Sequence, residues 1–112
     1  MERRSKKRYE VCLDAIWDGA RGNSRARVTD LSEDGCYIDS ISEALTGEIL
    51  HLKVQLPSGE WLDLSGQVAH VFPRIGFGIR FVELSAITRQ KLLWLLNHLQ
   101  GSSDRPLARI CA

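Results

Sequence analysis

The stretch Leu50-His51-Leu52-Lys53-Val54-Gln55-Leu56-Pro57-Ser58-Gly59 decides how this chain folds. Leu50, Leu52, Val54 and Leu56 alternate with His51, Lys53 and Gln55. A period of two puts the apolar set on one face of a strand and the polar set on the other. Pro57-Ser58-Gly59 then supplies turn chemistry: proline presets its φ, serine bonds nearby backbone, and glycine takes conformations closed to other residues. A long strand follows from about Trp61 to Phe72, with Leu62, Leu64 and Val68 in phase. Gly66 lies inside it, where a glycine marks a bulge or a bend. His70 shares the phase of the apolar positions.

The same period extends in both directions. Tyr9, Val11, Leu13, Ala15 and Trp17 point one way, and Glu10, Cys12 and Asp14 the other. Asp18-Gly19 and Gly22-Asn23 are turn signals. A short second strand covers residues 25–29, with Ala26 and Val28 on one face. Residues 30–35 read as a polar turn. A third strand over residues 36–41 sets Cys36 and Ile38 against Tyr37 and Asp39. Thr46-Gly47 turns the chain into the strand quoted above. Residues 73–76 turn it again, and Phe77, Ile79 and Phe81 make a sixth strand. The period then changes. Ser85 can cap a helix; Leu92, Leu95, Leu96 and Leu99 follow at helical spacing, and Ile87 and Leu93 widen the apolar arc. Gly101 is a natural stop. The expected class is all-β: a six-stranded antiparallel β-barrel, which removes sheet edges, with a C-terminal α-helix packed over it. Residues 1–8 form a basic flexible arm, 9–100 the barrel plus helix, and 101–112 a mobile tail.

A length of 112 residues suits one domain. Hydrophobic residues at 44% supply a core, and charged residues at 26% keep it soluble. Fifteen Lys and Arg against fourteen Asp and Glu give a formal charge of +1, which excludes a surface coated for bulk nucleic-acid binding. The charge is unevenly placed, however. Arg3, Arg4, Lys6, Lys7 and Arg8 crowd the N-terminus, which favours a local anion site. Cys12, Cys36 and Cys111 are odd in number and widely spaced, so they read as free thiols in a reducing cytoplasm. No segment is long and apolar enough to enter a bilayer, and no apolar run follows the charged N-terminus.

Enzyme chemistry finds no support. Nucleophilic catalysis needs a base beside a nucleophile, and His51, His70 and His98 are scattered. No metal-ligand spacing appears, and no cofactor motif. Gly76-Phe77-Gly78 precedes a strand and lacks a third glycine, so it is not a dinucleotide fingerprint.

What remains is a pair of patterns. Arg4 and Arg8 form R-x-x-x-R, while Asp30, Ser32 and Gly35 form D-x-S-x-x-G. Alone, the first is a solvated charge run and the second a plain turn. Together, in this order and about twenty residues apart, they resemble the two motifs of the PilZ domain family. The likeness runs over roughly residues 3–100 and includes Tyr9-Glu10-Val11, Thr46-Gly47, Gly66-Gln67-Val68 and Gly78-Ile79-Arg80-Phe81. Cys36 stands where the family often has a second glycine. The resemblance implies a six-stranded barrel followed by a helix, in agreement with the periodicity, and a receptor for cyclic di-GMP.

The residue types suit that ligand. Arginine's planar fork pairs with phosphate oxygens and with the O6 and N7 acceptors of guanine. An ionised Asp30 accepts from guanine N–H groups, Ser32 can donate, and Gly35 lets backbone approach closely. The resemblance implies that Arg4 and Arg8 clamp the ligand from the arm while Asp30 and Ser32 read it from the barrel. In the family, an arginine just ahead of R-x-x-x-R accompanies an intercalated ligand dimer; here that residue is Arg3. Ligand would order the arm onto the barrel and change the surface offered to a downstream protein not identified by the sequence. One alternative is a nucleotide-free adaptor of the same fold, using a helix surface around Trp94. The other is a weak nucleic-acid binder, which the near-zero net charge disfavours.

Overall fold

The computed structural model describes residues 7–20 and 22–101, the last two as backbone. Arg3, Arg4, most of the arm and the tail expected to be mobile lie outside the described residues. Six strands precede one helix: β1 (Tyr9–Gly19), β2 (Gly22–Leu31), β3 (Gly35–Asp39), β4 (Ile49–Gln55), β5 (Trp61–Phe72), β6 (Gly76–Phe81) and α1 (Ala86–Gly101). They form a closed barrel in the order β1-β2-β3-β6-β5-β4. Every neighbouring pair is antiparallel. Closure comes from Ala15–Asp18 of β1 pairing with His51–Val54 of β4.

Alternation fills the interior. Val11, Leu13, Ala15 and Trp17 of β1 are buried with Leu50, Leu52 and Val54 of β4, Leu62, Leu64 and Val68 of β5, and Phe77 and Ile79 of β6. The Trp17 ring meets Phe77 edge-on at 5.2 Å. Its Nε1 donates to Ser40 Oγ at 3.3 Å, so the indole N–H keeps a partner in the core.

Ser85 starts α1 as expected: its Oγ accepts from the Thr88 amide at 3.1 Å. Leu92, Leu95, Leu96 and Leu99 are buried against the barrel. Ile87 and Leu93 do not widen that stripe; they are 68% and 36% exposed. Helical spacing places residues on an arc, but the barrel covers only the sector that faces it. Lys91 reaches Glu60 in the β4–β5 turn at 3.0 Å and ties the outer side of the helix down.

Three one-residue register shifts interrupt the pairing. They fall between Glu10 and Leu13 in β1, at Thr29 in β2 and at Ala69 in β5. Each inserts an extra residue; those in β2 and β5 reverse the inside–outside phase beyond them, while β1 keeps its alternation from Val11 to Trp17. In β5 the shift occurs three residues after Gly66, which itself stays in register, opposite Leu50 and Phe81. His70 is consequently exposed rather than in the apolar phase. β2 is longer than its periodicity suggested, and its shift turns Leu31 inward and Asp30 outward. Cys36 is a free, buried thiol as expected; Cys12 is disulfide-bonded, against the expectation of three free thiols.

Candidate functional site

Asp30 occupies the last turn of pairing in β2, opposite Glu10 of β1 and Tyr37 of β3. Arg8 lies just ahead of β1. β1 and β2 run antiparallel, so the start of one meets the end of the other. Arg8 Nη1 donates to Asp30 Oδ1 at 2.5 Å, across 22 residues of sequence. The two side chains are 31% and 35% exposed, so the pair is neither fully solvated nor buried. Arg8 Nε is buried and has no hydrogen-bond partner among the described residues. Lys7 is exposed, with its Nζ 5.2 Å from the centre of the Tyr9 ring.

Ser32 and Gly35 have different surroundings. Ser32 is buried, 2% exposed. Its Oγ accepts from the amides of Asp34 and Gly35 at 3.1 and 3.3 Å and lies 3.3 Å from the Gly35 carbonyl, to which it can donate. The Ser32 amide donates to the same carbonyl at 2.9 Å. Gly35 abuts β6: a Cβ there would fall 2.1 Å from the Ile79 carbonyl oxygen. The Phe81 amide donates to Asp34 O at 2.7 Å and fastens the turn to β6. Within D-x-S-x-x-G, therefore, Asp30 presents its side chain outward while Ser32 and Gly35 build and seat the turn.

The surroundings of the ion pair add residues that sequence reasoning left out. Strand pairing continues from Asp30 to Tyr37, from Tyr37 to Gly78, and from Gly78 to His70. These four positions form a row across β2, β3, β6 and β5. Tyr37 is half-buried, its ring 6.2 Å from that of Phe72. Burial raises the Tyr37 pKa above its ordinary value, and Asp39 adds to the shift. Beneath the pair, burial pushes the Cys36 thiol far up; Asp30 raises it further and Arg8 partly offsets this. A thiol held neutral in this way is a packing group and not a nucleophile.

No metal cluster occurs among the described residues, and none of the described helices is long and apolar enough to cross a membrane. A depression of about 560 Å³ lies elsewhere, lined by residues including Asp14, Arg25, Arg27, Trp61 and Arg74. It contains none of Arg8, Asp30, Ser32 or Gly35. Its charges are mixed, with Arg27 lying 3.8 Å from Asp14. The Arg8–Asp30 face carries the only arginine of R-x-x-x-R among the described residues.

The family model for the PilZ domain matches residues 2–98. The chain belongs to the PilZ domain family. No curated protein sequence matches it. Among solved structures, this PilZ domain is similar to the Bacillus subtilis inhibitor of motility MotI/DgrA, with TM-score 0.74 and 19% identity over 90% of this chain and 53% of that one. Escherichia coli YcgR in complex with c-di-GMP gives TM-score 0.79 and 18% identity over 93% of this chain and 49% of that one. The K. pneumonia MrkH–c-di-GMP complex gives 0.76 and 15% over 94% and 55%. At these identities the likeness is one of fold. The PilZ chain spans about half the length of each of these three proteins.

Proposed function

We propose that this chain is a receptor for cyclic di-GMP that acts by binding and not by catalysis. The observation that carries the reading is the Arg8–Asp30 contact. It joins the last residue of R-x-x-x-R to the first residue of D-x-S-x-x-G on the outer face of the barrel. Arg8 offers a fork of donors that stays charged, including a buried Nε in need of an acceptor. Asp30 offers acceptors for a guanine N–H edge. Phosphate or guanine arriving at this pair supplies what each side chain partly lacks. Arg4 contributes the second cation of the motif, and Arg3 favours a stacked ligand dimer. Ser32 and Gly35 serve the site by holding Asp30 in place.

Binding orders the N-terminal arm onto the barrel and alters the surface offered to a partner protein. That two solved structures of the same fold are complexes with c-di-GMP supports the ligand class. Titration calorimetry tests it. Micromolar cyclic di-GMP releases heat with a stoichiometry near two per chain, and Arg8→Ala and Asp30→Ala weaken it severely. Absence of heat in the wild type, or unchanged binding in both variants, overturns the proposal.

One observation favours a second role beside the first. Ile87 and Trp94 stand 68% and 55% exposed on the outer side of α1, and exposed large apolar groups mark contact surfaces. In this reading Trp94→Ala loses a protein partner while nucleotide binding stays intact.

A further inference from the structure

We propose that the depression at the end of β3 remote from Gly35 is the contact face for a second copy of this chain, with Asp39 of each copy meeting Arg74 of the other. The face lies outside both motifs, and its role does not depend on the cyclic di-GMP reading.

The backbone at Arg74 gives the first reason. The Ile75 amide donates to Phe72 O at 2.9 Å, which closes a four-residue turn over Phe72-Pro73-Arg74-Ile75. Proline takes the second place and Arg74 the third, where its φ is 64°. A type II turn of this kind asks for glycine at its third place, because a side chain there crowds the backbone. The chain holds an arginine instead. Its head makes no hydrogen bond or ion pair among the described residues that would offset the strain within the fold. Backbone strain of this sort is kept at sites of function.

The apolar groups give the second. Ile41 and Ile75 are 84% and 61% exposed, and the Trp61 ring is exposed with them. All three line the same depression of about 560 Å³ as Arg74. Large apolar groups scattered singly over a surface need no explanation, but gathered ones mark contact sites. Tryptophan and arginine are the types that carry most of the energy of protein contacts.

The charges decide the occupant. Arg25, Asp39 and Arg74 are exposed in this depression, and none makes an ion pair among the described residues. Asp39 pairs with Gly76, two residues on from Arg74, so opposite charges sit close together without bonding each other. A nucleic acid or a wholly acidic peptide meets Asp14 and Asp39 as like charges. A second copy does not. In a twofold contact the same patch faces itself, so an aspartate and an arginine beside the axis each meet the other's counterpart. The protruding Ile41 of one copy then enters the depression of the next.

Sedimentation equilibrium of the full chain without nucleotide, from micromolar to millimolar concentration, tests this. Wild type passes from the mass of one chain to that of two. Arg74→Gly relieves the turn, so its melting temperature holds or rises while dimerisation weakens by about tenfold or more. Asp39→Arg and Arg74→Asp each set like charges across the contact and lose the dimer. Mixed in equal amounts, these two variants associate again, because both cross-contacts regain opposite charges. A wild type that stays monomeric throughout overturns the proposal and leaves the face to a different partner. A dimer that none of the three substitutions weakens, or a mixture that fails to associate, overturns it as well. So does an Arg74→Gly chain that melts earlier than wild type, which makes Arg74 a structural residue of its turn.

Discussion

Gly35 and Ile79 are packed so closely that a side chain on the glycine would overlap the isoleucine carbonyl oxygen, with only 2.1 Å between them. Gly35→Ala must push β3 from β6 at their first paired positions. Overpacking of this kind costs about 1–3 kcal/mol or more. Ser32→Ala leaves the Asp34 and Gly35 amides without their side-chain acceptor, at about 1–3 kcal/mol. Urea titrations of both variants will show lowered midpoints. Their loss of ligand binding will follow from the lost turn.

The Arg8–Asp30 pair behaves in the opposite way. Both side chains keep about a third of their surface, and exposed pairs contribute about 0.2–1 kcal/mol. Arg8→Ala and Asp30→Ala therefore melt near wild type in a double-mutant cycle by denaturation, with a small coupling. In the titration with ligand the same substitutions have a large effect. A site whose loss leaves stability alone is separated from the turn that supports it.

Cys36 sets a pH dependence. Its ordinary pKa of 9.0 is raised in the folded chain, first by burial and then by Asp30. The folded state thus holds a proton that the unfolded state releases above about pH 9, and stability falls as pH rises beyond that point. The slope from one such group approaches about 1.4 kcal/mol per pH unit. Denaturation midpoints measured on either side of pH 9 will fall more steeply for wild type than for Cys36→Ala. In the native state the Cys36 thiol resists alkylation until the chain unfolds.

The helix offers a contrast between two apolar residues. Leu92 is fully buried and Ile87 is 68% exposed. Leu92→Ala is expected to cost about 2–5 kcal/mol. Ile87→Ala changes stability by about 0.5 kcal/mol or less. Thermal melts of the two variants side by side check this.

Most of the barrel is legible from alternation because its strands have one wet and one dry face, and Leu50 to Leu56 states that pattern without interruption. The strand order is not legible from it, since β3 pairs with β6 and β1 with β4 instead of each strand pairing with the next. The register shifts are not legible. Nothing around Ala69 announces an extra residue, and Thr29 borders the polar run 30–35, which reads as a turn and not as an irregular strand. Gly66 looked like the irregular position and is regular; what it accommodates is Ile79, whose Cδ1 would lie 2.9 Å from a Cβ there. The failure at His70 has the same source, since one inserted residue reverses every later assignment. At the candidate site, Arg8 and Asp30 could be named from the motifs and do meet. The division of labour within D-x-S-x-x-G could not. Whether a serine faces solvent or bonds its own turn depends on how β3 docks on β6, which is a tertiary fact.

Closure of the barrel restricts how another molecule can read this domain. β1 and β4 are joined through Ala15–Asp18 and His51–Val54, so the sheet ends on itself. A protein with a free sheet edge can recruit a partner by adding that partner's strand to its own, using backbone amides that exist in every sequence. This domain has no such flank to extend along its closed seam. A protein docking along that seam must recognise side chains, and those can be tuned one at a time.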